Sequence, residues 1–294
     1  MGAKISRCLF PAAGLGTRFL PVTKEIAKEM LPLVNRPIIS YGVEEAVNSG
    51  CDDIVMITGR TKRSIEDYFD CSFELESLLK SRGNAELYEK IRSIASMANF
   101  MFVRQPEPLG LGHAVLCGEP VCRDEYFGVI LPDDVIKSEI PVLLQLIRVH
   151  EKLGGSVIAL EEVPDAEVSR YGIVDAEDFC AYDGGTGRIY KIRDMVEKPS
   201  VHKTPSRLAI IGRYILSPKI FAILADTDAG IGGELQLTDA LRRLLQEEPV
   251  WGVIYQGERF DCGTQNGWFA ANVKLAMEIP ELRKIVVDAA RDHI

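Results

Sequence analysis

Apolar runs of strand length alternate with amphipathic segments of helix length through the first half of the chain. The apolar runs predict strands, and the segments with apolar residues on one face predict helices between them. Strands that alternate with helices in this way indicate an α/β fold with a mostly parallel sheet covered on both faces. The predicted strands are 5–11, 53–58, 100–104, 127–131 and 155–160, and the predicted helices are 35–49, 62–69, 141–153 and one beginning near Gly112.

A charged segment interrupts this alternation at 72–98. Helix-forming residues lie on both sides of Gly83-Asn84, a pair that is typical of turns. The segment therefore predicts an inserted helical hairpin with this pair as its turn.

The second half of the chain follows a looser pattern of extended pieces and turns, which predicts a smaller, β-containing lobe added to the first. The extended pieces lie at 171–175, 188–196, 208–216 and 251–256, and a glycine-rich turn lies at 183–187. Residues 267–292 predict one or two terminal helices. Because no repeat or flexible linker divides the chain, we expect a single domain. It would span 1–294, with a first lobe over about 1–160, a second over about 161–264 and C-terminal helices over about 265–294.

Composition narrows the classes of function. A hydrophobic content of 47% with 26% charged residues is ordinary for a globular enzyme, and no stretch approaches the ~20 apolar residues that span a bilayer. The N-terminus lacks the layout of a signal peptide, and the seven cysteines contain no C-x-x-C pair, so free thiols in a reducing cytoplasm are expected. The net charge of −9 argues against a general nucleic-acid binder. A local cluster of cations and a metal ion could still hold a small polyanion.

A loop containing Gly14 and Gly16 directly follows the first predicted strand. The backbone of these glycines can approach an anion closely, so that its N–H groups point at phosphate oxygens. A dinucleotide-binding fingerprint needs a third glycine at the position of Phe19, and the G-x-x-x-x-G-K-[ST] phosphate loop is absent. The glycine pair alone leaves two interpretations open, a phosphate loop and a tight turn from strand to helix.

Two cations near this loop favour the phosphate interpretation. Arg18 lies inside the loop, and Lys28 lies ten residues later. Displacement at the α-phosphorus of a triphosphate requires charge neutralisation on both the α-phosphate and the leaving pyrophosphate. An arginine fork suits the departing phosphates, and a compact lysine charge suits the α-phosphate. Each cation alone is more often a solvated surface residue, but the two together predict a phosphate site.

These residues, G-x-G-T-R followed by Lys28 in K-E-M-L-P, resemble the signature of the sugar-1-phosphate nucleotidyltransferases, and among them the bacterial uridylyltransferases that act on glucose 1-phosphate. The resemblance extends in ordered blocks from Gly14 to about Gly263. It implies a Rossmann-like mixed sheet, with the nucleotide in the first lobe and the sugar in the second. The loop residues implied to bind the nucleotide are Ala13, Gly14, Leu15, Gly16 and Thr17.

The resemblance places the base in the block 104–113. It implies that Gln105 and the backbone of Gly110 bind the uracil edge, and an amide with backbone groups can match such a donor–acceptor edge without charge. Read alone, the block is a Gly/Pro loop before a helix, with His113 as a structural residue in the first turn.

Two carboxylates are implied as ligands of Mg²⁺. Asp133 lies in Leu-Pro-Asp-Asp134, which ends an apolar strand, and Asp261 lies in Phe-Asp-Cys-Gly263. Mg²⁺ prefers oxygen ligands and often takes one or two carboxylates, with phosphate oxygens and water completing its shell. Asp134 is the weaker candidate, beside the ligands. Without the resemblance, the two acids could equally cap a following helix.

The sugar phosphate is assigned to Val-Glu-Lys-Pro199, in which Glu197 would accept hydrogen bonds from the sugar and Lys198 would contact its phosphate. Without the resemblance, Glu197 and Lys198 are an exposed charge pair of no special role. Tyr171-Gly172 and the stretch 211–214 would line the sugar pocket, through the backbones of Gly172 and Gly212. Glu234 and Gln236 would support the sugar site from behind.

The reaction that this resemblance implies joins UTP to glucose 1-phosphate, releasing pyrophosphate and giving UDP-glucose, with Arg18, Lys28 and Lys198 as the catalytic cations and Mg²⁺ as cofactor. The same chemistry with another base or sugar stays open, because an amide serves uracil and thymine alike; the hairpin at 72–98 favours the uridylyl group by resemblance only. A non-catalytic sugar-nucleotide-binding regulator is a further alternative. It is disfavoured because the catalytic cations and both metal carboxylates are present.

Two positions depart from the family pattern. Ala27 stands where the family has proline, which would fix the backbone before Lys28, and 264–268 differs after Asp-Cys-Gly. The apolar terminal helices, with the family's habit of assembly, predict a homo-oligomer, either a dimer or a tetramer. No nucleic-acid or membrane partner is expected.

Overall fold

The structure is a computed structural model that describes residues 4–181 and 187–291. Its strands in chain order are β1 (Arg7–Pro11), β2 (Pro32–Leu33), β3 (Arg36–Pro37), β4 (Asp53–Thr58), β5 (Asn99–Arg104), β6 (Phe127–Ile130), β7 (Asp134–Lys137), β8 (Ser156–Glu162), β9 (Gly172–Ala181), β10 (Arg188–Glu197), β11 (Leu208–Leu216), β12 (Val250–Ile254) and β13 (Glu258–Asp261). Its α-helices are α1 (Ile38–Asn48), α2 (Arg63–Phe69), α3 (Phe73–Ser81), α4 (Ala85–Ser96), α5 (Leu111–Cys117), α6 (Glu119–Cys122), α7 (Val142–Leu153), α8 (Lys219–Ala225), α9 (Leu237–Leu244), α10 (Gln265–Ala276) and α11 (Pro280–Arg291).

Among the described residues, nine strands form one continuous sheet in the order β5-β4-β1-β6-β11-β8-β12-β10-β9. The strands β5, β4, β1 and β6 are parallel neighbours, and β8 and β12 form a second parallel pair. β10 and β11 run in the direction opposite to the other seven strands of this sheet. The mixed, mostly parallel sheet expected from the sequence is therefore confirmed.

The strands of the predicted second lobe extend this sheet instead of forming a separate one. β11 inserts between β6 and β8 and pairs with both in antiparallel register, and β9, β10 and β12 continue the sheet beyond β8. Of the predicted turn at 183–187, residues 183–186 lie outside the described part of the chain. The sheet thus passes without interruption from the first lobe into the second.

Helices cover both faces of the sheet, so its central strands face two apolar cores. Along β1, Cys8 and Phe10 enter the core beneath α1 and α7, whereas Leu9 enters the core beneath α5, α8 and α9. This alternation explains why β1 reads as a continuous apolar run, since both of its faces are buried. No helix within 4–181 and 187–291 is long and apolar enough to cross a membrane.

The predicted hairpin at 72–98 is confirmed as α3 and α4. Gly83 has φ +67°, and Asn84 begins α4 by accepting a hydrogen bond from the backbone N–H of Leu87 at 3.2 Å, as an N-cap does. The helix predicted from residue 35 begins instead at Ile38. The residues before it turn back as the short β2–β3 hairpin, so Pro37 precedes the helix rather than lying in its first turn.

A small two-stranded sheet of β7 and β13 was not predicted. It pairs Asp134 with Asp261 and Val135 with Phe260 in antiparallel register. Both strands are short, and residues some 125 positions apart in the chain meet in them, so the local pattern gives little signal for either. Their pairing brings the Asp133 and Asp261 blocks together.

Candidate active site

One cleft is lined by every residue to which the sequence assigns a catalytic, nucleotide-binding, sugar-binding or metal-ligating role. It lies beyond the carboxyl ends of the parallel strands β1 and β6, where open α/β sheets bind ligands. Two adjoining cavities of about 610 and 430 Å³ form it. The first carries the predicted nucleotide-binding residues and the second the predicted sugar-binding residues, and Arg18, Asp133 and Lys198 line both. The structure brings these residues together, and their roles stay predictions.

The glycine-rich loop lines the first cavity and closes on Lys28. Gly16 has φ +66°, and its carbonyl accepts a hydrogen bond from Thr23 Oγ1 at 2.7 Å. A Cβ at Gly16 would lie 3.1 Å from the Cβ of Lys28, so glycine permits both this backbone conformation and this approach. The next α-helix among the described residues begins only at Ile38. A short 3₁₀ turn, Thr17–Phe19, directly follows Gly16, so a tight turn and a phosphate loop both remain interpretations of the glycine pair.

Lys28 reaches across the cleft to Asp133, with 2.5 Å between Nζ and Oδ2. Burial alone would raise the pKa of Asp133, but the charge and hydrogen bond of Lys28 hold it below its usual range. Burial would likewise lower the pKa of Lys28, whereas the charges of Asp133 and Glu29 raise it above the ordinary lysine value. Both groups are therefore ionised at neutral pH, and both still face the cleft.

The chain on either side of Lys28 is fixed from below. Ala27 is buried with φ −58°, close to the value that proline would impose, so the departure from the family pattern leaves this geometry in place. Glu29 is fully buried and pairs with Lys62 at 2.7 Å, and Lys62 is itself buried. Burial raises the pKa of Glu29, and the opposing charge of Lys62 limits that rise. No sequence motif indicates this pair.

Asp261 is held by the backbone on one oxygen and by an arginine on the other. Its Oδ1 accepts a hydrogen bond from the N–H of Gly263 at 3.0 Å, and its Oδ2 accepts one from Nη2 of Arg170 at 2.6 Å. The segment 264–268, which differs from the family pattern, begins α10. A Cβ at Gly267 would lie 1.9 Å from the Asp261 carbonyl, so glycine is required there. Arg170 was not predicted as a site residue, although it directly precedes Tyr171-Gly172, which is predicted to line the sugar pocket.

Asp133 and Asp261 fit a shared divalent cation. A Cβ built on Gly263 would lie 3.0 Å from Oδ2 of Asp133 and 3.1 Å from Oδ1 of Asp261, so the two oxygens flank the same point. Among the described residues, no group of three or more His, Cys, Asp or Glu side chains is arranged to hold a metal. Two carboxylates suit Mg²⁺ that takes its remaining ligands from phosphates and water. Because β7 follows Asp133, the interpretation of these acids as helix caps is wrong.

Asp134 points away from its neighbour into a buried network. Arg259 donates to its Oδ1 from Nε at 2.7 Å and also to Glu161 at 3.2 Å, and the N–H of Gly212 donates to its Oδ2 at 3.2 Å. Burial raises the pKa of Asp134, and the charge of Arg259 opposes that rise. Asp134 thus connects the segment that carries Asp133 to β11, and it lies beside the predicted metal ligand. Arg259 is a further residue that sequence reasoning missed.

Arg213, expected within the stretch lining the sugar pocket, is instead completely buried. Successive residues of a strand point to opposite faces, so Gly212 and Tyr214 line the cleft while Arg213 points to the other side of β11. Its Nε and Nη2 donate to the two oxygens of Glu45 at 2.9 and 2.8 Å, and Nη2 also donates to the Asp134 carbonyl at 2.8 Å. Arg213 therefore connects α1 to the backbone of Asp134, next to the predicted metal ligand Asp133.

The second cavity narrows at two glycines. A Cβ at Gly172 would lie 2.7 Å from Thr238 Oγ1, and one at Gly212 would lie 2.6 Å from a side-chain carbon of Leu131. Glu197 accepts a hydrogen bond from Thr238 at 2.6 Å and pairs with Lys198 at 3.1 Å. Lys198 has φ +46°, a conformation uncommon outside glycine that costs about 1–3 kcal/mol and is found most often at functional sites.

The segment 234–236 runs past both cavities. Gln236 lines the second cavity, as expected for a residue supporting the sugar site, whereas Glu234 lines the first. A Cβ at Gly110 would lie 2.7 Å from the Cβ of Glu234, and Gly110 has φ +97°. Glu234 therefore lies beside Gly110, in the block predicted to bind the base, rather than beside the predicted sugar pocket.

Comparison with known proteins agrees with this site. The family model described as nucleotidyl transferase matches residues 10–278. The fold and the cleft define a transferase of nucleotidyl groups, and this chain belongs to the nucleotidyl transferase family. That family generally uses a divalent metal, in accord with the two carboxylates.

Individual relatives match over nearly the whole chain. The Bacillus subtilis UTP–glucose-1-phosphate uridylyltransferase YngB is 46% identical over 100% of this chain and 97% of its own length, and a second uridylyltransferase from that organism is 44% identical over 97% and 95%. A UDP-glucose pyrophosphorylase solved in complex with UDP-glucose is 45% identical, with a TM-score of 0.83 over 94% of this chain and 100% of its own. A UTP-bound enzyme of the same description from Acinetobacter baumannii is 38% identical, with a TM-score of 0.88 over 99% and 100%.

Proposed function

We propose that this protein is a UTP–glucose-1-phosphate uridylyltransferase, which joins UTP and glucose 1-phosphate into UDP-glucose and releases pyrophosphate. The observation that carries the proposal is the cleft, in which a glycine-rich phosphate loop and an amide line one cavity and a carboxylate with two glycines lines the next. Arg18, Asp133 and Lys198 lie where the two cavities meet, as a reaction between two phosphates requires. The choice of UTP and glucose rests on the uridylyltransferases and pyrophosphorylases that this chain resembles.

The reaction needs positioning and charge neutralisation more than proton transfer. A phosphate monoester has its second pKa near ~6, so the attacking sugar phosphate is already largely dianionic at neutral pH. Its oxygen attacks the α-phosphorus in line, and the bond to the departing pyrophosphate breaks. No general base is required. The protein must hold two mutually repelling anions in alignment and offset the charge that develops between them.

Lys28 and Arg18 are the cations on the nucleotide side. Lys28, now paired with Asp133, is placed to neutralise the α-phosphate, where charge increases during the displacement. Arg18 lies at the junction of the cavities, with its Nη1 at 3.4 Å from the Gly263 carbonyl, and its planar fork suits the leaving pyrophosphate.

Lys198 and Glu197 act on the sugar side. Lys198 would hold the sugar phosphate, because this residue lines both cavities, and Glu197 would accept hydrogen bonds from the sugar hydroxyls. The backbones of Gly172 and Gly212 would lie against the ring, and only glycine fits at these positions, since a Cβ at either would meet protein atoms within 2.7 Å.

Mg²⁺ is the proposed cofactor, with Asp133 and Asp261 as its protein ligands. When bound, it would neutralise phosphate charge and orient phosphate oxygens. The ionised state of Asp133, maintained beside Lys28, suits this ligation.

The setting of the enzyme is also proposed. All seven cysteines are free, which suits a reducing cytoplasm. Phe269 and Ile285 on the C-terminal helices are 63% and 64% exposed, which supports a homo-oligomer that covers them in a dimer or tetramer.

The test is pyrophosphate release with Mg²⁺, crossing UTP, dTTP, CTP, GTP and ATP against the 1-phosphates of glucose, galactose and N-acetylglucosamine. Release confined mainly to UTP with glucose 1-phosphate is expected. Preference for another pair would retain the mechanism and move the substrate assignment. Absence of release from every pair, with UDP-glucose still bound, would contradict the enzymatic proposal and leave a binding protein.

A further inference from the structure

The amide of Gln105 is held in one orientation by two hydrogen bonds from its nitrogen. Nε2 donates to the carbonyl of Gly110 at 3.2 Å and lies 3.0 Å from Nδ1 of His113. A backbone carbonyl can only accept, so the amide group facing Gly110 must be the NH₂ rather than the oxygen. The orientation therefore follows from the chemistry of the partner.

His113 completes this arrangement only in one protonation state. The second N–H of the Gln105 amide points to Nδ1, which can accept it only when Nδ1 carries no proton. The ring is then neutral, with its proton on Nε2. If Nδ1 were protonated, two donors would face each other at 3.0 Å.

The amide oxygen is the group that remains. Within the described part of the chain, Oε1 of Gln105 takes no hydrogen bond, and Gln105 lines the first cavity. The residue is 7% exposed, and its backbone N–H is fixed to the Thr58 carbonyl at 2.8 Å. Gln105 thus lines the cavity, and the hydrogen-bonding group of its side chain that is left for a ligand is an acceptor.

The segment that carries both partners, from Gly110 into the first turn of α5, is itself clamped. The Leu235 N–H donates to the Leu109 carbonyl and the Gly112 N–H donates to the Leu235 carbonyl, both at 2.8 Å. A Cβ at Gly112 would lie 2.6 Å from that second carbonyl, so no other residue allows this contact. Gly110 and His113 are therefore fixed on either side of the amide.

We propose that His113 is a specificity-determining positioning residue, which selects uracil over cytosine by fixing the Gln105 amide with its oxygen towards the base. The inference rests on the proposed function. A uracil ring carries a donor at N3–H, which a fixed acceptor matches, whereas cytosine has an unprotonated acceptor at N3, which the same oxygen repels. A site built for one hydrogen-bonding pattern rejects the other strongly, because the buried polar groups are left unpaired. His113 acts through Gln105 and does not itself touch the base.

The test compares His113→Leu with His113→Asn. Both keep the branch at Cγ, but only asparagine places an acceptor, Oδ1, where Nδ1 stands. For His113→Leu, the ratio of kcat/KM for UTP to that for CTP should fall by roughly 3- to 10-fold, as expected for one neutral hydrogen bond. The loss should appear mainly in KM for UTP with kcat little changed, because the base is remote from the reacting phosphorus. His113→Asn should restore the wild-type ratio.

Two measurements separate this role from a merely structural one. Titration calorimetry with UDP-glucose and CDP-glucose should reproduce the change in discrimination without turnover. Selective ¹⁵N-histidine labelling of the wild-type protein, which has four histidines, should show the His113 ring with a proton on Nε2 and an unprotonated Nδ1. This second measurement needs no variant, so a proton on Nδ1 would overturn the inference even if His113→Leu does not fold.

The outcomes are distinct. Wild-type turnover of UTP with unchanged discrimination in His113→Leu overturns the inference and leaves the proposed function intact. Equal loss in the leucine and asparagine variants overturns it as well, as does a proton on Nδ1 of the wild-type ring. If the wild-type protein binds and turns over no uridine nucleotide at all, the proposed function itself fails.

Discussion

The ion pairs of the cleft differ from the ion pairs directly beneath it. The cleft pairs keep water contact on one or both partners and end on groups that face the cavities. They are Lys28–Asp133, Arg170–Asp261 and Lys198–Glu197. The pairs beneath are almost fully enclosed, with exposed fractions from 0% to 11%. They are Lys62–Glu29, Arg213–Glu45 and Arg259–Asp134.

The difference separates exchangeable charges from fixed ones. Pairs that keep water contact are weaker than enclosed ones, and fully exposed pairs contribute only roughly 0–1 kcal/mol, so a partner can leave a cleft pair for a phosphate or a metal at lower cost. A buried pair cannot be opened without leaving an uncompensated charge, which costs several kcal/mol. Residues adjacent in the chain belong to different groups of pairs. Lys28 is in a cleft pair and Glu29 in a buried one, and Asp133 is in a cleft pair and Asp134 in a buried one. The buried member fixes the backbone, and its neighbour is free to act.

The largest effect is expected from Arg213→Met, which breaks a buried pair. It leaves Glu45 charged in the interior and removes the bond to the Asp134 carbonyl, so the free energy of unfolding should fall by about 3–5 kcal/mol. Urea unfolding measures this. Arg193→Met is the matched control. Arg193 pairs with Glu177 at 2.7 Å on the surface, and because exposed pairs contribute little, this change should lower stability far less than Arg213→Met does. An equal loss of unfolding free energy in the two variants would contradict the distinction between buried and water-exposed ion pairs.

Lys28→Met should leave stability nearly unchanged and abolish most of the activity. The ammonium is proposed to offset charge that develops in the transition state, and losing one such group typically lowers kcat by about 10²–10³-fold. Pyrophosphate release under saturating UTP and glucose 1-phosphate measures kcat, with urea unfolding as the check on the fold. Activity near that of the wild type would show that Lys28 does not act on the α-phosphate.

A smaller effect is expected from Arg170→Met. Arg170 competes for an oxygen of Asp261, so its removal should tighten Mn²⁺ binding to the free protein by up to about 5-fold, as for a half-exposed pair. Electron paramagnetic resonance of free Mn²⁺ measures this without turnover, and Arg193→Met again serves as the control. Weaker binding in Arg170→Met would mean that the arginine holds Asp261 in place for the metal.

The pH dependence of stability should have opposite signs for a buried and an exposed carboxylate. Burial raises the pKa of Glu29, so the folded state takes up its proton first, and stability gains from this group as pH falls towards the unfolded value near ~4.3. The Arg242 hydrogen bond lowers the pKa of Asp194, so its contribution is present above about 3.9 and is lost as pH falls through the lower folded value. Urea unfolding between pH 7 and 3 would measure both contributions as the difference in unfolding free energy between the wild type and Glu29→Gln or Asp194→Asn. If these two differences changed with pH in the same direction, the opposite pKa shifts of Glu29 and Asp194 would be contradicted.

Local pattern was sufficient for most elements of the fold. The apolar run of β1 and the Gly83-Asn84 turn of the α3–α4 hairpin could be predicted because their signals lie within a few residues of one another. The β7–β13 pairing and the insertion of β11 beside β6 could not, since they depend on contacts between distant segments.

The site divides in the same way. The residues that line the cleft belong to short blocks with their own glycines and charges, so motif reasoning located Lys28 and Asp133, and the structure places them in contact. The buried partners carry no motif: Lys62 resembles a surface lysine, and Arg213 was expected in the pocket. Their partners lie 33 and 168 positions away, and only folding brings them together.

The uninterrupted sheet also restricts how ligands come and go. β11 is hydrogen-bonded to β6 on one side and to β8 on the other, so swinging the lobes apart about a hinge would tear both ladders. We therefore expect ligands to enter by movement of loops at the rim rather than by separation of the lobes. Paired fluorescent labels on β4 and β10 should report a constant separation through the catalytic cycle, whereas a label at exposed Leu20 in the glycine-rich loop should report the arrival of the nucleotide.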